Sequence, residues 1–375
     1  MTLTNYWWLL IWLFIGGIVL MYFPRKHENV FGIQEQRWYL LPAIVLVIPL
    51  IVWAGFRSAN TPGFDTSVYQ ALFSDAPRQL SQLPEYLDTI TKDKGFSVLT
   101  VLIKCIVGNS PELYFLILAI FQMLCVALVF RKYSCDYWFS TFVFVASTEY
   151  ISWMHNSIRQ FTAVALVFAA APFIFKKKYV PAIVIILIAS TIHGSALLML
   201  PVIFIVQGRV LNKKTIACVI AVVIALLFVS QFTNLLDTLL SDTQYQNVVS
   251  DWQSFSDDGT SPLRALVYSI PAILVLLGWK YIRNEENPVI QIAANASIIT
   301  AALSWLSTAT SGIFIGRLPI WTGLYAAGIL LPWEINNFFT KESARLVKCV
   351  AIICYLYSFI TKCTYLGGLC DEHKR

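Results

Sequence analysis

Apolar runs close to 20 residues long recur from one end of this chain to the other, and that recurrence limits its fold more than any other feature. A helix rises about 1.5 Å per residue, so roughly 20 apolar residues match the ~30 Å hydrocarbon layer of a bilayer. The runs predict spans near 7–23, 39–56, 111–130, 137–153, 158–175, 179–193, 195–207, 216–240, 263–282, 288–311, 318–338 and 346–362. Hydrophobic residues make up 58% of the 375 and charged ones 13%, about half the charged share of an average soluble domain. One soluble core cannot hide that much apolar surface, whereas lipid can. The expected fold is therefore all-α: a polytopic integral membrane protein of about 12 transmembrane helices, with residues 1–375 forming a single membrane domain.

The formal charge of +6 comes from short basic clusters between apolar runs, which excludes a nucleic-acid surface and fits the positive-inside rule. Arg25-Lys26, Arg131-Lys132, Lys176-Lys177-Lys178, Arg209 with Lys213-Lys214, Arg283, and Lys341 with Arg345 all fall on the cytoplasmic side. The first run has no basic residue before it and Arg25-Lys26-His27 behind it, so it reads as a retained span with its N-terminus outside and no cleavable signal peptide. Trp7, Trp53, Trp138 and Trp153 lie near span ends, as an aromatic belt would. Residues 95–107 are apolar but short and interrupted by Lys104. If they crossed, Arg131-Lys132 would land outside. They are read as a re-entrant or interfacial helix within an outer loop over 57–110. A second outer loop is expected over 241–262. The spans meeting at His193-Gly194 read as a tight pair, with Gly194 allowing the turn.

Of the eight cysteines, Cys105, Cys125, Cys218, Cys349 and Cys354 read as small apolar fillers and Cys135 as cytoplasmic. Cys363 and Cys370 are candidates to pair in an oxidising outer compartment. No Cys/His spacing matches a zinc site, and no metal or cofactor is expected.

The residues with chemical potential gather on the predicted outer face: Arg57, Asp65, His155, Arg159, His193, Arg264 and Arg317. Arginine at outer span ends runs against the topological trend, and four of them point to a shared anionic ligand. Singly, each has the alternative of snorkelling to a lipid headgroup. Pro62-Gly63 suits a type II turn that would hold Asp65 beside Arg57. Ser157 to Gln160 fits a capping box, which puts Arg159 in a first helical turn where free N–H groups already favour an anion. His193 either caps a helix end or serves as a general base or diphosphate contact. Glu149, inside its span, reads as a partner for Arg159 or as a buried acid.

Arg57 to Asp65 with Tyr69 after it, Gly95-Phe96, Asn156-Ser-Ile-Arg-Gln160 and Ala189-Ser-Thr-Ile-His193-Gly-Ser195, in that order, resemble the EpsG family of bacterial polysaccharide polymerases, within the wider Wzy group. Gly316-Arg317 adds a weaker match. Family members commonly carry an acid shortly before the Gly-Phe pair, where this chain has Lys94; Glu85, Asp88 or Asp93 would then substitute, or the role lies with Asp65 or His193. The resemblance implies a fold like the GT-C-type membrane glycosyltransferases in the bacterial cytoplasmic membrane, with its active site facing the periplasm or exterior. It implies a metal-independent polymerase of undecaprenyl-diphosphate-linked oligosaccharide repeat units, serving O-antigen (lipopolysaccharide), capsule or exopolysaccharide synthesis. Asp65 and His193 would be catalytic, Arg57, Arg159, Arg264 and Arg317 would hold the diphosphate, and Tyr69, His155 and Gln160 would position substrate. The expected partners are the lipid-linked donor and acceptor, membrane lipids, a chain-length regulator and a flippase. An O-antigen ligase-like transferase or a lipid-linked oligosaccharide flippase are the competing functions.

Overall fold

The computed structural model describes residues 6–59, 65–239, 260–312 and 314–372, with the backbone alone for 237, 239 and 361–372. The Pro62-Gly63 turn, the acidic stretch 241–259 and the Cys363 and Cys370 side chains lie outside the described residues. The chain is 78% helical, and its sheet among the described residues is one two-stranded hairpin. Two compact units emerge, Met1–Leu200 with Arg345–Arg375, and Pro201–Ala344.

In the first unit α1 (Trp7–Leu20) runs into a hairpin, β1 (Arg25–Val30) and β2 (Ile33–Trp38), with Arg25 opposite Trp38 and Val30 opposite Ile33. The hairpin fills the interval 24–38, which the spans read over 7–23 and 39–56 leave without an element. Charged and polar side chains occupy both faces of β1, so the alternation that betrays a half-buried strand is absent. Its two-residue turn, Phe31-Gly32, has φ of 55° and 87°, the double left-handed geometry that two-residue hairpins favour. There follow α2 (Leu40–Gly55), α3 (Thr66–Asp75), α4 (Leu83–Thr89), α5 (Lys94–Val107), α6 (Pro111–Tyr133), α7 (Tyr137–Ala146), α8 (Glu149–Asn156), α9 (Ile158–Ala169), α10 (Ala171–Phe175) and α11 (Tyr179–Ile192). The unit boundary falls within α12 (Met199–Ile205).

Helix α6 shows how sequence sets such an element. Ser110 accepts from the Leu113 N–H at 3.4 Å, Pro111 occupies the first turn, and Arg131 and Lys132 sit in the last turn, where cations complement the helix dipole. Helices α2 and α6 run antiparallel. At one end Gly55 lies so close to Leu116 that a Cβ would come within 2.6 Å of it. At the other, Arg131 donates to the Trp38 carbonyl at 2.6 Å, and the Tyr137 hydroxyl donates to Ala43 O at 2.7 Å. Residues 57–110 thus leave and rejoin the α2–α6 pair at the same end. Lys104, the interruption in the apolar run of α5, is 5% exposed and donates to the carbonyls of Phe73, Ser74 and Ala76 at 2.6–2.8 Å. It closes the orphan carbonyls at the end of α3.

The second unit holds α13 (Lys213–Leu227), α14 (Val229–Leu239), α15 (Pro262–Leu277), α16 (Trp279–Asn284), α17 (Pro288–Leu306), α18 (Ile320–Tyr325), a π-helical turn over Ala326–Leu330, and α19 (Leu331–Phe338). α20 (Lys341–Glu372) opens there, and from Arg345 belongs to the first unit. Polar residues of α17 bond inside the unit: Thr300 and Thr322 hydroxyls lie 2.7 Å apart, and Asn295 donates to Val206 O at 3.1 Å.

Among the described residues three helices, 111–133, 288–306 and 341–360, are individually long and apolar enough to cross a membrane. Helices α13 and α14 pass together but bend by 103°, and seven further apolar helices have 10–17 residues. Several predicted spans are therefore broken. The 137–153 run breaks at Thr148, which takes a left-handed φ of 61°, and 158–175 breaks before Pro172. Hydropathy does not register the second break, where Ala170 and Ala171 are as apolar as their neighbours, whereas Ser147-Thr148-Glu149 interrupts the first run with polar residues. Apolar side chains stand outward all the same, among them Ile106 at 80%, Val180 at 75% and Leu277 at 78% exposure. In water each would forgo about 1.5–3 kcal/mol of burial, whereas lipid accepts them. The chain is an all-α membrane protein. The aromatic belt needs correction: Trp53 and Trp153 are buried, Trp53 stacked on Tyr6 and Trp153 donating to Glu149 at 2.7 Å.

A candidate anion site where three loop junctions meet

Three junctions of the first unit come together: the start of α5, the start of α9 and the end of α11. Asp93 stands at the N-cap position of α5 with a left-handed φ of 53°, a conformation Asp tolerates better than most residues. Its Oδ2 pairs with Arg159 Nη1 at 3.1 Å, and its Oδ1 accepts the Gly194 N–H at 3.2 Å. Arg159 occupies the first turn of α9, half-buried, and its backbone N–H approaches the Tyr69 hydroxyl at 3.5 Å. His193 ends α11 in extended backbone, φ −152° and ψ 117°, with its Nδ1 2.8 Å from Ser195 Oγ. Gly95 makes the approach possible, since a Cβ there would lie 2.1 Å from Thr191 Oγ1 and 2.7 Å from the Thr191 carbonyl carbon.

The electrostatics of the cluster are cationic at its rim. Burial lowers the Lys92 ammonium's pKa and the neighbouring Arg159 pushes the same way, with Asp93 opposing. Tyr69, 6% exposed, is raised by burial despite Arg159 beside it. Its ring meets Phe96 edge-on at 5.8 Å. One carboxylate against Arg159 and Lys92 at a helix start is an arrangement suited to an anion.

Of the residues expected from sequence, the cluster brings together Arg159, His193 and Tyr69. Asp65 is exposed at the start of α3, where its charge is felt by Tyr69. Arg57 and His155 form a separate buried group. Arg57, 8% exposed, donates to Ala54 O and Met154 O at 2.5 Å each and lies over the Phe115 ring at 4.9 Å. It thereby ties the end of α2 to the end of α8. His155 Nδ1 lies 2.8 Å from Ile151 O, its ring 4.8 Å from Trp53. Gln160 is buried at 2% exposure. Arg264, exposed against Tyr268 at 3.2 Å, and Arg317, in a short 3-10 turn, belong to the other unit.

Two local expectations change. Ser157 stands at the N-cap position of α9 but makes no side-chain cap bond, because α8 runs straight into α9 and leaves Ser157 with ψ of 56° rather than extended backbone. Gly194 lies outside the left-handed region, and a Cβ there would meet nothing within 4 Å; the turn does not need a glycine. Glu149, read as a partner for Arg159 or as a buried acid, is buried at 7% exposure and accepts from Trp153 Nε1 at 2.7 Å. Asp93 is the partner that sequence singled out least, as one of three acids near Gly95. Its adjacency to the Lys94-Gly95-Phe96 stretch was the available signal.

Among the described residues no three His, Cys, Asp or Glu side chains gather as a metal cluster. Compared with known proteins, the chain matches a family model, that of the EpsG family, over residues 40–370. No curated protein and no solved structure matches it significantly.

Proposed function

This chain belongs to the EpsG family, and from that premise we propose that it polymerises polyprenyl-diphosphate-linked oligosaccharide repeat units at the outer leaflet of the bacterial cytoplasmic membrane. The observation that carries this reading is the convergence of Arg159, Asp93 and the His193-Gly194 turn. In the reaction an acceptor sugar hydroxyl attacks the anomeric carbon of the donor glycan. The bond to the diphosphate oxygen breaks, the lipid diphosphate leaves with the electron pair, and the hydroxyl proton passes to a base. The leaving group is already activated, so the protein's work is to hold developing negative charge and accept one proton.

Arg159 is the residue we assign to the diphosphate, with Lys92 beside it. A planar guanidinium grips two phosphate oxygens at once, and the α9 start adds backbone N–H groups. Asp93 is a positioning residue: it aims the guanidinium and ties the α11 turn to it. His193 is the assigned base, with Asp65, across Tyr69, the second choice. Arg264 and Arg317 retain a proposed role with the diphosphate, whereas Arg57 is assigned to the Ala54 and Met154 carbonyls that hold it. About twelve spans rest on the apolar runs and a GT-C-like fold on the family resemblance, while the outer loop over 57–110 is supported by the shared end at which α2 and α6 meet it.

The test is chain growth by the purified protein in vesicles given lipid-linked repeat units. Arg159→Ala should lose on the order of a hundredfold in rate, about 3 kcal/mol of charge stabilisation, and Arg159→Lys should recover little of it. In cells the single lipid-linked unit then accumulates on the outer leaflet. Accumulation on the inner leaflet would mean a flippase, and transfer to a lipid A-type acceptor without chain growth would mean a ligase. Wild-type chain length in the alanine variant at normal expression removes Arg159 from the site.

A further inference from the structure

On elements other than those that carry the Arg159 cluster, the first unit holds a second site. A cavity of about 380 Å³ opens between α1, the hairpin and the start of α7, with Lys348 of α20 at its edge. That volume suits a small polar group. Its cationic lining consists of Arg25, Arg37, Arg131 and Lys348, and Asp136 is the lining carboxylate. Counting neighbours, five cations (these four and Lys26) face three carboxylates, Glu28, Glu35 and Asp136, already engaged with Arg131, Arg37 and Lys348. Positive charge is left over. Arg37 is only 3% exposed, and the Nε–H groups of both Arg37 and Arg131 are buried with no acceptor among the described residues.

Gln36 and Ser134 add polar lining, and the α1 side of the wall is apolar. Gly17 and Ile18 of α1 line it, and Trp138 packs so tightly on Gly17 that a Cβ would come within 2.3 Å of its indole nitrogen. Ile11, Ile15 and Ile18, 45–54% exposed, form one stripe down α1 at helical spacing, and it ends at the cavity, which Ile18 lines. A cationic pocket at the foot of a lipid-facing stripe is shaped for a molecule with an anionic head and an apolar tail.

We propose that this cavity binds the headgroup phosphate of an anionic glycerophospholipid, its acyl chains lying along the α1 stripe. The phosphate supplies acceptors for the buried guanidinium groups and balances the surplus charge. A free phosphate offers the same acceptors but leaves the stripe unused, and a zwitterionic lipid brings its own cation into a site already rich in them.

The test places the full chain in nanodiscs of mixed phosphatidylglycerol and phosphatidylcholine and reads by native mass spectrometry which lipid stays bound. Phosphatidylglycerol should be retained selectively. Each removed cation should weaken retention on the order of fivefold, so Arg25→Gln with Lys348→Gln should weaken it roughly twentyfold. Lys176→Gln, a basic residue away from the cavity, should leave it unchanged. If the double variant fails to accumulate, Arg25→Gln alone carries the fivefold expectation. Equal retention of both lipids, an unaffected cavity variant, or an equal loss with Lys176→Gln would overturn the proposal. So would displacement of phosphatidylglycerol by inorganic phosphate alone, or by equimolar polyprenyl phosphate, each of which would name a different occupant.

Discussion

Replacing Gly95 by alanine tests whether close packing of two helices sets the site. The added Cβ would lie 2.1 Å from Thr191 Oγ1 and 2.7 Å from both the Cβ and the carbonyl carbon of Thr191. Ordinary contact is about 3.5–4.0 Å, so relief requires α5 and α11 to part by on the order of 1 Å. Rotating the Thr191 side chain removes the first clash and leaves the backbone one. Overpacking of this kind costs about 1–3 kcal/mol. The functional loss should be larger than the stability loss suggests. Asp93 lies two residues before Gly95, and its bond to Gly194 N–H, now 3.2 Å, would open beyond hydrogen-bond reach. Misplacing a catalytic element by about 1 Å costs roughly a hundredfold in rate. Thermal unfolding in detergent and chain growth in vesicles read the two effects separately. Thr191→Ala in the Gly95→Ala background should rescue little, because the carbonyl carbon remains at 2.7 Å. A Gly95→Ala protein with wild-type stability and rate would refute the requirement for this approach, and full rescue by Thr191→Ala would show that the side chain alone was in the way.

Asp93→Asn should cut chain growth in the wild-type background but change it less than about threefold once Arg159 is alanine, because coupled residues are non-additive; multiplied losses would give Asp93 an independent role. The same change should cost no more than about 1 kcal/mol of stability, since the pair keeps 28% and 12% side-chain exposure and solvent screens it. Arg57→Ala removes two charged hydrogen bonds to helix-end carbonyls, each worth roughly 1.5–3 kcal/mol, so its melting temperature should fall clearly. Unchanged melting with lost activity would instead put that guanidinium on substrate. Chain growth should persist in excess chelator, and loss of activity restored specifically by magnesium or manganese would overturn a purely cationic account of the leaving group.

Membrane residence and helical content followed from the sequence alone, because both depend on how many apolar residues stand in a row. The ordered pieces around Arg57, Gly95, Arg159 and His193 were legible as well, since each is a local run of chemically distinctive residues. Which of them meet was not legible. Asp93 and Gly194 are 101 residues apart, and their meeting depends on α5 lying against α11, which no window of sequence contains. The same holds for Arg57: its place at an outer span end suggested a ligand, yet two carbonyls, one of them 97 residues away, hold it in a buried corner. The hairpin escaped notice because its charged residues on both strands find partners such as Arg131 only after the chain has folded back. Hydropathy reports what a residue prefers to be surrounded by. The packed backbone decides what surrounds it.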